Sequence, residues 1–297
     1  MAQQRRRRER EPVLDDGYWF DEDLRIVEHL GGSRKVDVYL CHSTPLKTLV
    51  RCKVLRPEYR IDFSSLQAVL DEGDILLRLR HPNVVEGYGV ELEDHPRIVM
   101  EHLPGEIITS AFFSGNYQAF NLRDAVNVAR DIAAALTYVH EQGYLHLDVK
   151  PSNVMYHNGH ATLFDFSVEE EYSRDETLRN DAGTTEYMAP EQTYRREAGY
   201  YTDVLGVGVL LYRLLSGGEL PYQVIEVDDE DEEGDGKTKR QLDYDIAPLH
   251  PSVHNPQVSQ DLGDVALTAV SPESSERYST PQDFADALLL AAGDLLG

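Results

Sequence analysis

Hydrophobic and polar residues alternate over three short runs near the start of the chain, Leu24–Leu30, Val36–Cys41 and Thr48–Val54. Alternation with a period of two is typical of half-buried strands. The runs are separated by Gly31-Gly32 and by Ser43-Thr44-Pro45, which are residues that favour tight turns. The pattern therefore predicts an antiparallel sheet in the first third of the chain.

The period changes to that of a helix from Phe63 to Arg80, and His81-Pro82-Asn83 ends this pattern. Two more strands are predicted at Val84–Leu92 and Arg97–Glu101. The second half is mainly helical, and it begins with a long amphipathic helix after Leu122, where Asn121 and Asp124 form a cap pair. Its other predicted elements are short strands around Val154 and at Thr162–Phe164, an irregular segment from Ser167 to Pro190, and helices at Asp203–Leu215, Asp261–Val270 and Pro281–Leu290.

Composition narrows the class of protein. The 297 residues include 53 Asp plus Glu against 28 Lys plus Arg, which gives a net charge of −25. Such an acidic protein would repel phosphate backbones, so we expect no nucleic-acid partner. There is no signal peptide and no apolar run near the roughly 20 residues of a membrane span, so a soluble, cytoplasmic protein is expected. The acidic composition is typical either of a protein from a cell with a salty cytoplasm or of an ordinary protein with an acidic surface.

Two charged segments lie apart from the periodic pattern. Residues 1–17 contain four consecutive arginines, Arg5–Arg8, and are predicted to form a basic, disordered tail. This tail is interpreted as a solvated arm, as an anchor to anionic lipid, or as a partner of the acidic segment at 226–236. The acidic segment is predicted to be a mobile loop, and it either improves solubility or attracts basic peptides.

The densest group of reactive side chains lies at His146–Asn153, followed by Asp165-Phe166-Ser167. Asp148, Lys150 and Asn153 fall within six residues, and Asp165 follows after a predicted hairpin. A carboxylate that accepts a proton, a cation that offsets phosphoryl charge, and oxygen ligands for Mg²⁺ are what phosphoryl transfer from a nucleotide requires.

These segments resemble the motifs of the protein kinase superfamily, closest to the bacterial and archaeal serine/threonine kinases, over nearly the whole chain. His146–Asn153 is similar to the H-R-D-x-K-x-x-N loop, Asp165-Phe166-Ser167 to D-F-G, and Ala189-Pro190-Glu191 to A-P-E. Lys53 takes the place of the strand lysine of V-A-I-K, and Glu72 that of its helix partner.

The resemblance implies an α+β, bilobal protein kinase fold. Its N-lobe would be a small antiparallel β-sheet with one helix, and its larger C-lobe would be mainly helical. We therefore predict a kinase domain at residues 18–293, with the N-lobe at 18–103 and the C-lobe at 104–293.

It also implies roles for single residues. Asp148 would orient the attacking hydroxyl, Lys150 would contact the γ-phosphate, and Lys53, paired with Glu72, would contact the α- and β-phosphates. Asn153 and Asp165 would bind Mg²⁺. The residues implied to contact the nucleotide are Gly31 in the phosphate-covering loop, Val38 and Met155 on either side of the adenine, and the backbone of Glu101 and Leu103.

Two implied features separate protein kinases from small-molecule phosphotransferases. Asp203 resembles the helix aspartate that braces the catalytic loop. Arg277 resembles the arginine that pairs with the glutamate of A-P-E, here Glu191.

Some positions depart from the family pattern. Ser33 and Val36 replace the second and third glycines of G-x-G-x-x-G, and Arg34 and Lys35 either compensate with charge or form a solvated tip. Arg51 replaces a small alanine, so that its guanidinium either stacks on the base or turns to solvent. Ser167 stands where D-F-G has glycine, and Leu147 where H-R-D has arginine.

We predict a serine/threonine protein kinase with ATP as phosphoryl donor and Mg²⁺ as cofactor, because Lys150 is the residue that the Ser/Thr-specific members carry. Its partners would be proteins that present Ser or Thr, including the chain itself through autophosphorylation. The absence of arginine at Leu147 predicts activity independent of phosphorylation between Ser173 and Thr185. The alternative is a pseudokinase that acts as a nucleotide-binding or scaffolding module.

Overall fold

The computed structural model describes residues 13–113, 121–166, 170–171, 187–195, 197–228 and 238–296. The chain divides into two compact units. The first contains the residues up to Arg80 together with Val85–Leu103, and the second contains His81–Val84 and the residues from Pro104 onward. Most of the basic tail, the acidic residues 229–236, Ser167 and the segment Ser173–Thr185 lie outside the described residues.

The segment His81–Val84 belongs to the second unit, although the sequence placed it within the N-lobe range. The Asn83 side chain donates to the carbonyl of Ala161 at 2.8 Å, and the Asn83 carbonyl accepts from the Leu163 N–H at 2.8 Å. Val84 also forms a β-bridge with Leu163. These bonds attach the segment to a hairpin that lies far along the chain.

The first unit is built on a five-stranded antiparallel sheet in which the third strand of the chain is central and pairs with the second and fifth strands. Numbered as in the list that ends this paragraph, the strands have the spatial order β1-β2-β3-β5-β4. The three alternating runs predicted first all form strands, each one or two residues longer than predicted. The strands are β1 (Leu24–Gly32), β2 (Val36–Ser43), β3 (Thr48–Leu55), β4 (Gly87–Glu91) and β5 (Arg97–Glu101).

The two faces of this sheet carry different side chains, because side chains alternate along a strand. One face holds an apolar core, against which Leu14 and Phe20 also pack. The opposite face carries Val38, which pairs with Lys53. The core residues are Leu24, Ile26, Tyr39, Cys41, Val50, Cys52 and Val54.

Helix α1 (Phe63–Arg78) packs against the sheet through two close approaches. A Cβ on Gly73 would lie 2.1 Å from a methyl group of Val90 in β4, and a Cβ on Gly87 would lie 2.8 Å from Cβ of Leu76. The helix is capped by Asp62, whose carboxylate accepts from the Ser65 N–H. These contacts fix the position of Glu72 on α1.

The second unit is mainly helical, with α3 (Leu122–Glu141) packed against α4 (Tyr200–Ser216) and α6 (Pro281–Ala292). Helix α4 is buried along nearly all of its length, as its apolar sequence predicts. The helices are α2 (Ile108–Phe113), α3 (Leu122–Glu141), α4 (Tyr200–Ser216), α5 (Gln260–Ala269) and α6 (Pro281–Ala292). Short strand pairs complete the unit: β6 (Glu106–Ile107) with β8 (Val154–His157), β8 with β9 (His160–Leu163), β7 (Tyr144–Leu145) with β10 (Glu170–Glu171), and β11 (Val224–Asp228) with β12 (Thr238–Leu242).

Several predicted boundaries are wrong, among them that of the strand predicted at Val84–Leu92, which runs from Gly87 to Glu91. The strand predicted at Thr162–Phe164 runs from His160 to Leu163, because Asn158-Gly159 forms a two-residue turn with positive φ at both positions. The segment predicted as irregular after Ser167 contains β10. The predicted acidic loop begins later than position 226, because β11 continues to Asp228 and pairs with β12.

The helices in the described part of the chain include none with the length and apolar character of a membrane span.

Candidate functional site

Lys53 and Glu72 form a two-point ion pair in the first unit. The Lys53 Nζ lies 2.8 Å from Oε1 and 2.7 Å from Oε2 of Glu72. Only 4% of the Glu72 side chain and 13% of the Lys53 side chain are exposed. Strand β3 positions the lysine and α1 positions the glutamate, so the sheet and the helix together hold one ammonium group in place.

The β1–β2 turn is closed by its own hydrogen bonds. The Ser33 N–H donates to the Val36 carbonyl at 2.8 Å, and the Ser33 Oγ accepts from the N–H groups of Lys35 and Val36 at 3.3 and 3.4 Å. Gly31 has φ of 130°, which favours glycine. A Cβ on Gly32 would lie 2.4 Å from the Val36 carbonyl oxygen. The serine that replaces a family glycine therefore closes the turn.

The backbone proposed to bind the base lies at the end of β5. The Glu101 N–H donates to the carbonyl of Glu86 at 2.8 Å, and Leu103 is buried. Val38 is half-buried on the sheet face shared with Lys53. Leu30, whose side chain is 42% exposed, lies at a β1 bulge directly before Gly31. The sequence analysis placed this leucine in a strand, and its exposure beside the turn is known only from the structure.

Of the two orientations expected for Arg51, the turn toward solvent is not the one observed. The Arg51 Nη2 donates to the Leu103 carbonyl at 3.3 Å, so the guanidinium is bonded to backbone rather than directed to solvent. Burial lowers the pKa of Arg51, and burial together with the charge of Arg51 lowers the pKa of the neighbouring His102. Arg51 and Lys53 share one face of β3, two residues apart.

In the second unit, Asp203 at the start of α4 braces the loop His146–Asn153. Its Oδ1 accepts the Leu147 N–H at 2.7 Å, and its Oδ2 accepts the His146 N–H at 2.9 Å and lies 2.7 Å from His140 Nε2. Burial alone would raise the pKa of Asp203, but the hydrogen bonds from His140 and from the His146 N–H lower it on balance. His140 is a partner that the sequence interpretation missed.

Within this loop, the side chains of Lys150 and Asn153 converge on Asp148. The Lys150 ammonium contacts Asp148 Oδ2, and Asn153 Nδ2 donates to the same oxygen at 3.1 Å and to the Asp148 carbonyl at 3.0 Å. Asp148 is 5% exposed. The cation and the amide hold the carboxylate in one orientation, and the ammonium can also offset negative charge beside it.

Asn153 and Asp165 supply the oxygen chemistry that Mg²⁺ prefers. Because Asn153 Nδ2 donates hydrogen bonds to Asp148, Oδ1 is the atom of the Asn153 side chain that can bind a metal ion. The Asn153 carbonyl accepts from the N–H of Phe164 at 3.0 Å, which attaches the strand end before Asp165 to the loop. Asp165 has φ of 67°, an uncommon conformation for a residue other than glycine. These donors fit a magnesium ion.

Phe166 and His146 pack edge to face beside these residues. Their ring centroids are 4.8 Å apart, and both side chains are almost fully buried. Burial lowers the pKa of His146, and this effect outweighs the opposing charges of Asp203 and Asp148. His146 is therefore a neutral packing residue whose Nδ1 accepts a hydrogen bond from the Asp148 N–H at 3.3 Å.

Arg277 and Glu191 form a buried two-point ion pair. The Nη1–Oε1 distance is 2.7 Å, the Nη2–Oε2 distance is 2.9 Å, and no part of the Arg277 side chain is exposed. Thr202 of α4 also donates to Glu191 at 3.0 Å. The pair predicted from the sequence is present, and it joins the segment after Ala189 to α4.

Gln192 connects this segment to the catalytic loop, and no sequence motif indicated it. Its Nε2 donates to the Leu147 carbonyl at 3.2 Å, and its Oε1 accepts from the Ala189 N–H at 2.9 Å. Leu147 is 4% exposed and packs with Leu145 against Ala198 and Tyr200. Apolar contacts thus surround the side chain at the position where the family motif has arginine.

The predicted site residues fall into two groups, one in each compact unit. The first unit holds Gly31, Val38, Lys53, Glu72, Glu101 and Leu103, and the second holds Asp148, Lys150, Asn153, Met155 and Asp165. Met155 is buried in β8, where it pairs with Ile107 and Thr162.

Comparison with known proteins gives a consistent result. A family model described as the protein kinase domain matches residues 24–288. The chain is 26% identical over 265 residues to the serine/threonine-protein kinase PrkC of Bacillus subtilis, a match that covers 87% of this chain and 39% of the relative. It is 26% identical to the probable serine/threonine-protein kinase PknB of Lactococcus lactis, over 91% of this chain and 42% of the relative.

The chain therefore spans about two fifths of the length of these curated relatives. Among solved structures, the kinase domain of PknI from Mycobacterium tuberculosis is similar, with a TM-score of 0.70 and 24% identity. That match covers 95% of this chain and all of the solved chain, and at this identity it concerns the fold.

Proposed function

Because the chain belongs to the protein kinase domain family, we propose that it transfers the γ-phosphoryl group of ATP to serine or threonine hydroxyls of proteins. The observation that carries the proposal is the loop in which Lys150 and Asn153 hold the Asp148 carboxylate. A carboxylate fixed in this way can orient a hydroxyl and accept its proton as the oxygen attacks phosphorus.

The other residues have complementary roles in this proposal. Lys53, held by Glu72, contacts the α- and β-phosphates, and Lys150 offsets charge on the transferred phosphoryl group. Gly31, Val38, Met155 and the backbone of Glu101 and Leu103 contact the nucleotide. Mg²⁺, when bound by Asn153 and Asp165, supplies positive charge next to the phosphates.

Serine/threonine specificity rests on Lys150, which lies two positions after Asp148. Independence from activation-loop phosphorylation rests on Leu147, whose buried side chain offers no cation to a phosphate. We propose a cytoplasmic location, because the proposed reaction consumes ATP. Substrates would be proteins with accessible Ser or Thr, including other copies of the chain.

The test compares the wild type with Asp148→Asn in the presence of Mg²⁺ and ATP labelled in the γ-phosphate. Label incorporated into the chain and into a generic Ser- and Thr-containing acceptor should fall at least about 1,000-fold in the variant, because Asn cannot accept the proton. Thermal shift with ATP checks that the variant still binds nucleotide.

Equal labelling by the two proteins would contradict the role of Asp148. Nucleotide binding with no labelling by the wild type would instead support a pseudokinase that acts as a binding or scaffolding module.

A further inference from the structure

A buried carboxylate lies directly behind the β1–β2 turn. Asp37 follows the turn in β2 and is 3% exposed. Three side chains surround its carboxylate: Arg56 Nη2 donates to Oδ1 at 3.0 Å, His29 Nε2 lies 3.3 Å from Oδ1, and the Tyr39 hydroxyl donates to Oδ2 at 3.4 Å. No motif that indicated the function includes Asp37 or Arg56.

Arg56 contacts the turn in two ways. Its guanidinium, 7% exposed, pairs with Asp37, and its backbone N–H donates to the Lys35 carbonyl at 2.9 Å. Arg56 also begins the connection from β3 to α1, where the Lys35 ammonium lies 5.9 Å from the ring centre of Tyr59. The turn is therefore attached to this connection by backbone and by side chain.

The carboxylate also packs against the turn backbone. A Cβ on Gly32 would lie 2.9 Å from Asp37 Oδ1, so the carboxylate fills the space that a side chain would need. The turn residues Ser33, Arg34 and Lys35 are themselves exposed. The turn is thus held from its buried side, while its other side is open to a ligand.

We propose that Asp37 and Arg56 are positioning residues for the nucleotide phosphates. They act through the β1–β2 turn: by fixing its buried side, they hold the exposed turn in the conformation that receives phosphate, and so offset the loss of glycine at Ser33 and Val36. The inference rests on the proposed function, because it assigns phosphate binding to this turn.

A buried ion pair can also be purely structural, and the same unit provides a control pair with an equally buried arginine. Arg97 Nη2 lies 2.7 Å from Asp21 Oδ2, and the Arg97 side chain is as buried as that of Arg56, whereas 44% of the Asp21 side chain is exposed against 4% of that of Asp37. Asp21 precedes β1 and Arg97 begins β5, so this pair has no contact with the turn among the contacts described. Loss of either pair should lower stability, but only loss of the first should weaken phosphate binding.

The experiment measures dissociation constants for Mg·ATP and for adenosine, which lacks phosphates. The variants are Asp37→Asn, Arg56→Gln, the double variant and the control Asp21→Asn. Thermal melting checks that each is folded. If a single variant does not fold, the double variant carries the test, because it leaves neither charge unpaired.

We expect the preference for ATP over adenosine to fall about tenfold in the Asp37 and Arg56 variants, with adenosine affinity nearly unchanged, since a displaced turn loses contacts only to phosphate. Asp21→Asn should keep the wild-type preference. An unchanged preference in folded Asp37 and Arg56 variants would overturn the inference, as would an equal loss in Asp21→Asn. A wild type that does not prefer ATP would overturn the proposed phosphate site itself, and the inference with it.

Discussion

The two loops that carry predicted site residues, one in each compact unit, are held in place by different means. The β1–β2 turn of the first unit is closed by its own residues and by Arg56, a short distance along the chain. The catalytic loop of the second unit is braced by Asp203, which is 57 residues from His146 and 56 from Leu147. The first loop departs from the family pattern and the second largely keeps it.

The difference shows which of the two loops can tolerate a departure from its family motif. In the turn, one hydroxyl group, that of Ser33, provides bonds that stabilise the new sequence locally. In the catalytic loop, two backbone N–H groups depend on a single distant carboxylate, and a change there has no local substitute. The comparison predicts that the second unit is the more sensitive of the two to single substitutions.

Among the changes that test this comparison, the largest effect is expected for Asp203→Asn. An amide NH₂ group would face the N–H of His146 or of Leu147, so one buried donor would lose its acceptor. Phosphoryl transfer should fall about 100-fold and the melting temperature should decrease, because the loop that carries Asp148 is no longer fixed. Steady-state kinetics and thermal melting measure both quantities.

The control for this variant is Asp264→Asn, at an exposed aspartate of α5. It should change neither quantity, and adenosine affinity should stay unchanged in both variants. Wild-type turnover in Asp203→Asn would show that the loop does not need its brace.

An intermediate effect is expected for Arg51→Ala in the first unit. The guanidinium bonds to Leu103 and shares a sheet face with Lys53, where we propose that nucleotide binds. A purine that reaches the Leu103 backbone must displace or share this position, so removal of the side chain should strengthen adenosine binding about fivefold. Calorimetric titration with adenosine measures the change.

Arg51→Lys keeps the charge without the planar donor group and is the matched comparison. Weaker adenosine binding in Arg51→Ala would mean instead that the guanidinium stacks on the base.

The smallest effect concerns pH and His146. Burial lowers its pKa from the ordinary value of 6.5, so the folded state resists protonation while the unfolded state accepts it. The contribution to stability is therefore present above pH 6.5 and is lost as the pH falls from 6.5 toward the lowered value. One such group adds at most about 1.4 kcal/mol per pH unit to the slope.

Thermal melting between pH 7.5 and 5 should show a shallower loss of stability in His146→Gln than in the wild type. His42→Gln, at an exposed histidine, should keep the wild-type slope. Equal slopes in all three proteins would show that the burial of His146 does not contribute.

The sequence was sufficient for features that depend on local pattern or on a motif. Alternation predicted β1 to β3, the cap at Asn121 predicted the start of α3, and motif spacing predicted the Lys53–Glu72 and Arg277–Glu191 ion pairs. These features could be inferred because a strand, a helix cap or a familiar motif encodes them within a few residues.

Other features depend on which distant residues meet, and the sequence does not display that. In the sequence, Asp37 is an ordinary polar residue of a predicted strand. Only the folded structure brings its carboxylate next to Arg56 and His29. Gln192 likewise has no signature for its bond to Leu147. The β8–β9 turn is a different case, because Asn158-Gly159 is a strong local turn signal that was overlooked.

The contact between Gly73 and Val90 fixes the distance between α1 and β4 in the first unit. The missing methyl group at Gly73 sets how closely α1 approaches β4, and Glu72 is the adjacent residue on the same helix. A valine side chain has little freedom to move aside. One added carbon atom at Gly73 would therefore push α1 away from β4 and shift Glu72 relative to Lys53. A Gly73→Ala change during evolution would have to be accompanied by a smaller residue in place of Val90.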